Sequence, residues 1–290
     1  MIDAAGKSMM LAAVSGASAS RTGGIRSAWF PLLLVAALAV VLMFLVLPVI
    51  AILTNTAPGK LLHSLGDPSA TDALKLSIAT SSIAIALIVL LGTPAAFLLA
   101  TRSFRGRSVV VTLIELPLVL PPAVAGIGLL AALGPQGIFG GVLRSAHVQL
   151  VLQTAGVVVA LAFVSAPLYL RQAQASFQGV QPALIDAART LGCSEARSFM
   201  RVALPVALPG LATGLALSWG RALGEFGATL MFAGSFRGIT QTVPLAIYDR
   251  FSSDFSGALA LSAILLAVSA SLLLVVKLLL SPQVFGLADS

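Results

Sequence analysis

Charge is what this 290-residue sequence most conspicuously lacks: 9% of its residues are charged and 58% are hydrophobic. A soluble globular chain carries roughly 25% charged residues, so that class is excluded and a polytopic membrane protein remains. Cysteine is nearly absent too. Cys193 stands alone, which rules out an intrachain disulfide and argues against a zinc cluster. The two histidines, His63 and His147, fall in predicted loops far apart in sequence, and no metal is expected. No Gly-x-x-x-x-Gly-Lys-Ser/Thr occurs, Gly-Lys being found only at 6–7 and 59–60 outside such a pattern, so the chain binds no nucleotide of its own. Gly-x-Ser-x-Gly, His-Glu-x-x-His and an acidic dyad are all missing, and neither histidine lies in a span. An intramembrane protease or lipid transferase lacks its chemistry here. The formal charge of +7 would point to nucleic acid in a soluble protein. In a membrane chain it reads as topology, and no nucleic-acid partner is expected.

Long apolar runs are what the chain has in quantity. About 20 apolar residues cross a bilayer as a helix. Six stretches qualify: 29–53, 74–100, 108–133, 149–170, 206–233 and 257–280. Residues 1–27 read as a mobile tail, since Met9–Val14 is too short for a signal-peptide core. Residues 28–283 form the transmembrane domain, and 284–290 a short end with no room for a regulatory domain. Lys7, Arg21 and Arg26 of the tail, Arg102, Arg105 and Arg107, and Arg171, Arg189, Arg197 and Arg201 alternate with sparser loops holding Lys60, Arg144, Arg237 and Arg250. The richer side is cytoplasmic, which puts both termini and the loop 171–205 inside.

Within that loop, residues 181–209 are amphipathic. Pro182 suits the first position of a helix. Ala183, Leu184, Ala187, Ala188 and Leu191 then fall on one side, with Asp186, Arg189 and Thr190 facing away. Gly192 can end this helix in the left-handed conformation, and Ser194 can cap a second one whose apolar side is Phe199, Val202 and Ala203. Pro205 and Pro209 close the segment. Helix, glycine turn, helix makes a compact protein-docking element.

This segment resembles the EAA loop of ABC-transporter permeases: Asp186-Ala187-Ala188, then Gly192, then Leu204-Pro205, with Asp where the family has Glu. Arg221-Ala-Leu-Gly224-Glu225-Phe226-Gly227-Ala228-Thr229 and Thr240-Gln241-Thr242-Val-Pro244-Leu-Ala-Ile-Tyr248 are similar to the molybdate permeases, whose sulfate and tungstate relatives share a Gly-Glu-Phe-Gly core. The match covers roughly residues 70–280. The resemblance implies an all-α fold with about six transmembrane helices, the MetI-like fold of ABC importer permeases, in a bacterial or archaeal cytoplasmic membrane. It implies a transport subunit rather than an enzyme, importing molybdate, or alternatively sulfate, thiosulfate or tungstate, by alternating access. Asp186, Ala187, Ala188, Leu191, Gly192, Cys193, Phe199 and Pro205 would then couple to a separate ATPase. ATP and magnesium would sit on that partner. Two ATPase subunits, a second copy of this chain and a periplasmic or lipid-anchored oxyanion-binding protein complete the implied assembly.

Several residues stand out inside the apolar runs. Arg221 and Glu225, flanking Gly224, fall near the middle of the fifth predicted span and are four residues apart, so they share a helix face. They either fix packing or shape the passage of an anion. Glu115 lies about 10 Å in from the end of the third span, shallow enough for a water-filled vestibule or a loop arginine. Pro121 and Pro122 should kink that span, which either borders the translocation path or bends for packing alone. Between the last two spans, Leu245, Tyr248 and Phe251 form one face of a short helix, for packing or for docking the binding protein.

Overall fold

The computed structural model describes residues 29–56 and 58–280, and every regular element among them is helical. The chain divides after Ala51 into two units. The first contains most of helix α1 (Trp29–Asn55), 27 residues without a charge and with Pro48 in its interior. At 1.5 Å per residue it is about 40 Å long, more than the hydrocarbon core requires.

The second unit holds α2 (Pro58–Gly66), α3 (Pro68–Thr101), α4 (Arg107–Val119), α5 (Pro122–Leu133), α6 (Gly140–Ser145), α7 (Thr154–Gln178), α8 (Pro182–Thr190) and α9 (Glu195–Ser198). A π turn (Phe199–Ala203) leads into α10 (Leu204–Leu223), followed by α11 (Gly227–Ala233), α12 (Val243–Phe251) and α13 (Phe255–Leu280). At its centre α7 packs against both α3 and α10, while α13 lies against α10 and α12. Lipid gives helices no hydrophobic reason to associate, so close approach and hydrogen bonds must do it. The inner faces are accordingly small: Ala70, Ala73, Ser77, Ser81 and Ala84 on α3, and Ala207, Gly214, Ser218 and Ala222 on α10, are buried. Hydroxyls bridge them. Thr93 and Tyr169 share a 2.6 Å bond, Ser218 Oγ donates to the Ser165 carbonyl at 2.9 Å, and Trp219 Nε1 donates to Ser81 Oγ at 3.1 Å. Leu87, Leu90, Leu91 and Leu98 stay exposed on the other side of α3, as suits a lipid-facing stripe.

Among the described residues five helices are long and apolar enough to cross a membrane, and the α4–α5 pair adds a sixth if counted as one broken span. Boundaries depart from the sequence reading in three places. The second span begins at Pro68 rather than 74, because Asp67 caps it by accepting from the Ser69 N–H at 2.9 Å. The fourth begins at Thr154 and runs to Gln178, so Arg171 is helical rather than in a loop. The fifth is the largest correction. One helical run extends from Glu195 to Leu223, stops at Gly224 and resumes only at Gly227, so Arg221 and Glu225 are not at the middle of a continuous helix. The π turn within that run has a local cause. Pro205 has no N–H for the Arg201 carbonyl, and the Leu204 N–H bonds five residues back to Phe199 instead.

Candidate functional site

Helix α8 starts with proline in its first turn and is closed by Gly192, whose φ is +81°. The Gly192 N–H donates to the Arg189 carbonyl at 2.9 Å and the Cys193 N–H to the Ala188 carbonyl at 3.0 Å, the paired bonds of a Schellman closure. Ser194 Oγ then accepts from the Arg197 N–H at 3.3 Å and starts α9. The face this element shows the rest of the protein is narrow: Ala188 is buried and Ile185 half-buried. Ala183, Leu184, Ala187 and Leu191 point outward, Leu191 with 85% of its surface exposed. The sequence reading put Ala188 with them. It lies 100° round the helix from Ala187, and the structure turns it inward. Asp186 and Arg189 lie on the side away from this stripe, exposed at the edge of the element, Pro205 is exposed, and Cys193 is half-buried.

Behind the element, Phe199 is inserted between two spans. Its ring lies 4.7 Å from that of Phe97 on α3 and 6.0 Å from that of Phe177 on α7. Glu195 faces Arg102, the residue that ends α3, and its Oε1 is 3.5 Å from Arg189 Nη2. Between these two attachments lies a cavity of about 300 Å³, lined by Phe97, Phe177, Ile185, Arg102, Arg189 and Glu195 among others. Phe199 therefore faces the spans, whereas Leu184, Ala187 and Leu191 face away from them.

The second cluster is formed by two interrupted helices. Leu120 and Pro121 each precede a proline, a position that disfavours the α conformation; both are extended, with ψ of 132° and 135°. The expected kink at Pro121 is thus a full break, with α4 and α5 bent by 119°. Pro117, by contrast, is carried inside α4. The other break is Gly224–Phe226. The two meet: a Cβ on Gly227 would lie 2.9 Å from Pro122 Cβ, and one on Gly126 only 2.7 Å from the Ala228 carbonyl oxygen. Glu225 sits in the second break at 1% exposure. Its Oε1 accepts from the Ala228 N–H at 2.7 Å, and Oε2 lies 2.6 Å from Arg221 Nη1 as a close ion pair outside hydrogen-bond alignment. Arg221 remains one-third exposed. Glu115 belongs elsewhere, 3.7 Å from Arg171 Nε of α7.

The family model described as "Binding-protein-dependent transport system inner membrane component" matches residues 88–285. The chain belongs to that family. It is 41% identical over 235 residues to "Molybdenum transport system permease protein ModB" of Mycobacterium bovis, covering 80% of this chain and 88% of that one. To "Probable transport system permease protein NifC" of Clostridium pasteurianum it is 35% identical over 247 residues, covering 85% and 86%. A more distant relative is "Sulfate transport system permease protein CysW" of a Synechocystis strain, 31% identical over 255 residues and covering 87% and 92%. Among solved structures the fold is shared with a chain of a bacterial ABC transporter "involved in the import of the acidic polysaccharide alginate", with a TM-score of 0.70 over 89% of this chain and 96% of that one, at 17% identity. The chain is thus a multi-pass membrane permease with the ABC-importer fold.

At the end of the permease opposite α8, about 50 Å along α3, the short helix α12 corrects one expectation. Leu245 is 1% exposed, in the core, while Tyr248 and Phe251 are exposed. Residues 245 and 251 are six apart and so 120° out of line, too far for one face. The Tyr248 ring packs 5.0 Å from that of Phe226 at a tilt of 52°, beside an apolar hollow of about 490 Å³ that also touches Gly224 and Phe251. Two clusters escaped the sequence reading because their members are far apart in the chain. One is Glu195 with Arg102. The other is Asp67, which accepts from Ser69 and from Arg250 of α12. The Arg250 guanidinium, helped by the Ser69 bonds, holds the Asp67 carboxyl below its ordinary pKa.

Proposed function

We propose that this permease imports a tetrahedral oxyanion, molybdate before sulfate or tungstate, across a cytoplasmic membrane by alternating access. It works as a pair of copies on two ATPase subunits that bind ATP and magnesium and carry out the hydrolysis. A soluble or lipid-anchored binding protein delivers the anion to the α12 end. The observation that carries the coupling part of this reading is the outward stripe Leu184, Ala187 and Leu191 on a capped helix. An apolar stripe exposed on a helix of an arginine-rich loop has no lipid to cover it and calls for a protein groove. Arginine density supports the cytoplasmic assignment of that end. The relatives named for molybdenum transport, at 36–41% identity against 31% for the sulfate relative, support the choice of anion. Arg221 and Glu225, at the meeting of the two helix breaks, are assigned to the boundary of the path. The buried Glu225 fixes the start of α11, and the part-exposed Arg221 supplies positive potential. Reconstitution in liposomes with the ATPase and candidate binding proteins tests the reading. Molybdate-loaded binding protein should stimulate ATP hydrolysis and uptake. Stimulation by sulfate-loaded and not molybdate-loaded protein would overturn the substrate, and absence of any ATPase association would overturn the function.

A further inference from the structure

Besides the seat that Ala188 and Ile185 give it, the α8–α9 element meets the spans through two side-chain attachments of different kind, with the 300 Å³ cavity between them. On one side Phe199 rests on Phe97 and Phe177 in tilted ring contacts at 4.7 and 6.0 Å. Such contacts persist from offset-stacked to edge-to-face arrangements at ring separations of roughly 4.5–7 Å, so the rings can re-orient without losing them. On the other side Glu195 opposes two guanidinium groups, Arg102 at the terminus of α3 and Arg189 in the last turn of α8. Charge-assisted bonds are directional and fix a relative position. Glu195 also opens α9, where the helix dipole and the Ser194 cap favour a negative charge. Arg102 is tied to its own helix, since its N–H donates to the Leu98 carbonyl at 3.0 Å. The pair joins residues 93 positions apart in the chain. With its side chains 57% and 55% exposed, it adds little to folding stability. Nothing in the burial of this end requires it.

We propose that Glu195 is a positioning residue for energy coupling. The element pivots on the phenylalanine trio, and Glu195, held by Arg102 and Arg189 at once, transmits its displacement to span α3. This rests on the reading that α8 docks on the ATPase, and its failure is separable from the failure of that reading. The experiment uses the complete transporter, reconstituted with ATPase and binding protein, and measures three things: co-purified ATPase, ATP hydrolysis, and anion delivered per ATP. Glu195→Gln and Arg102→Gln should retain the ATPase and its hydrolysis but lower anion delivered per ATP by about fivefold or more. Glu195→Asp should recover part of the loss. In an Arg189→Gln background, which removes one guanidinium from beside a relocated arginine, Arg102→Glu combined with Glu195→Arg should recover part of the ratio lost by either reversal, the cation at the start of α9 limiting the recovery. Unchanged delivery per ATP in the single variants, or a double reversal that delivers no more than either single reversal, overturns the proposal. Loss of the ATPase from the single variants also overturns it, because the pair would then serve assembly. If wild-type permease itself brings down no ATPase, the docking reading fails instead.

Discussion

Replacing Leu191 by alanine should leave the permease's own fold almost untouched and weaken its hold on the ATPase. The side chain is 85% exposed, at the end of a helix whose closure is carried by backbone bonds of Gly192 and Cys193. Substitution at such a site changes stability by about 0.5 kcal/mol or less. If the side chain instead fills a partner's groove, three carbons are removed from that contact. At about 0.8 kcal/mol per buried methylene this is about 2 kcal/mol, roughly thirtyfold in dissociation constant. The assay is equilibrium binding of purified ATPase to the permease in nanodiscs, beside thermal unfolding of the same preparation. Leu184→Ala should behave alike and somewhat more mildly, since Leu184 is less exposed to begin with. Ile185→Ala is the contrast, because Ile185 packs against the core beneath the element and its loss should register in unfolding first. Wild-type affinity and wild-type transport in Leu191→Ala would mean that no partner groove holds this side chain.

Gly192→Arg meets no atom of the permease within 4 Å of the added Cβ, so its internal cost is the left-handed backbone alone, about 1–2 kcal/mol; the protein should insert and purify, yet fail to couple hydrolysis to uptake. Gly126→Leu should do the reverse: its Cβ would fall 2.7 Å from both the Ala228 carbonyl oxygen and Met231 Cβ, and overpacking at the junction of α5 and α11 should cost about 1–3 kcal/mol in thermal unfolding. The Asp67–Arg250 clamp should be pH-sensitive. Its folded pKa is depressed, so its contribution is complete above the ordinary carboxylate value of about 3.9 and disappears as pH falls through the lower folded value. The stability gap between wild type and Asp67→Asn should therefore be constant near neutrality and close in strong acid; a gap that widens in acid would contradict the assignment.

The helix–glycine–helix element was legible because its signals are local. Pro182, Gly192 and Ser194 each act within three or four residues of themselves, and the structure uses all three at the expected positions. The break at Pro121 was legible for the same reason, although two consecutive prolines turned a kink into a 119° bend. The error over Arg221 and Glu225 came from hydropathy. Residues 206–233 are apolar apart from Arg221, Glu225 and a few small polar residues, and a hydropathy window does not register that Gly224 and Glu225 leave the helix. Leu245 was misplaced because apolar residues at i, i+3 and i+6 look like a face until the drift of 120° is counted. Glu195 with Arg102, and Asp67 with Arg250, are separated by 93 and 183 residues, and no local pattern announces such pairs.

The coupling proposed above sets the outward stripe of α8, at the arginine-rich end, against an ATPase subunit. Cys193 is the sequence's single cysteine, so a Cys193→Ser background accepts one new thiol at a chosen position. A cysteine-reactive photo-crosslinker placed at Leu191→Cys, in membranes containing the whole transporter, should give an adduct with the ATPase that changes in yield when ATP is added. The same probe at Phe251→Cys, at the other end of the permease, should give none. An ATPase adduct from position 251, or none from position 191, would contradict the account.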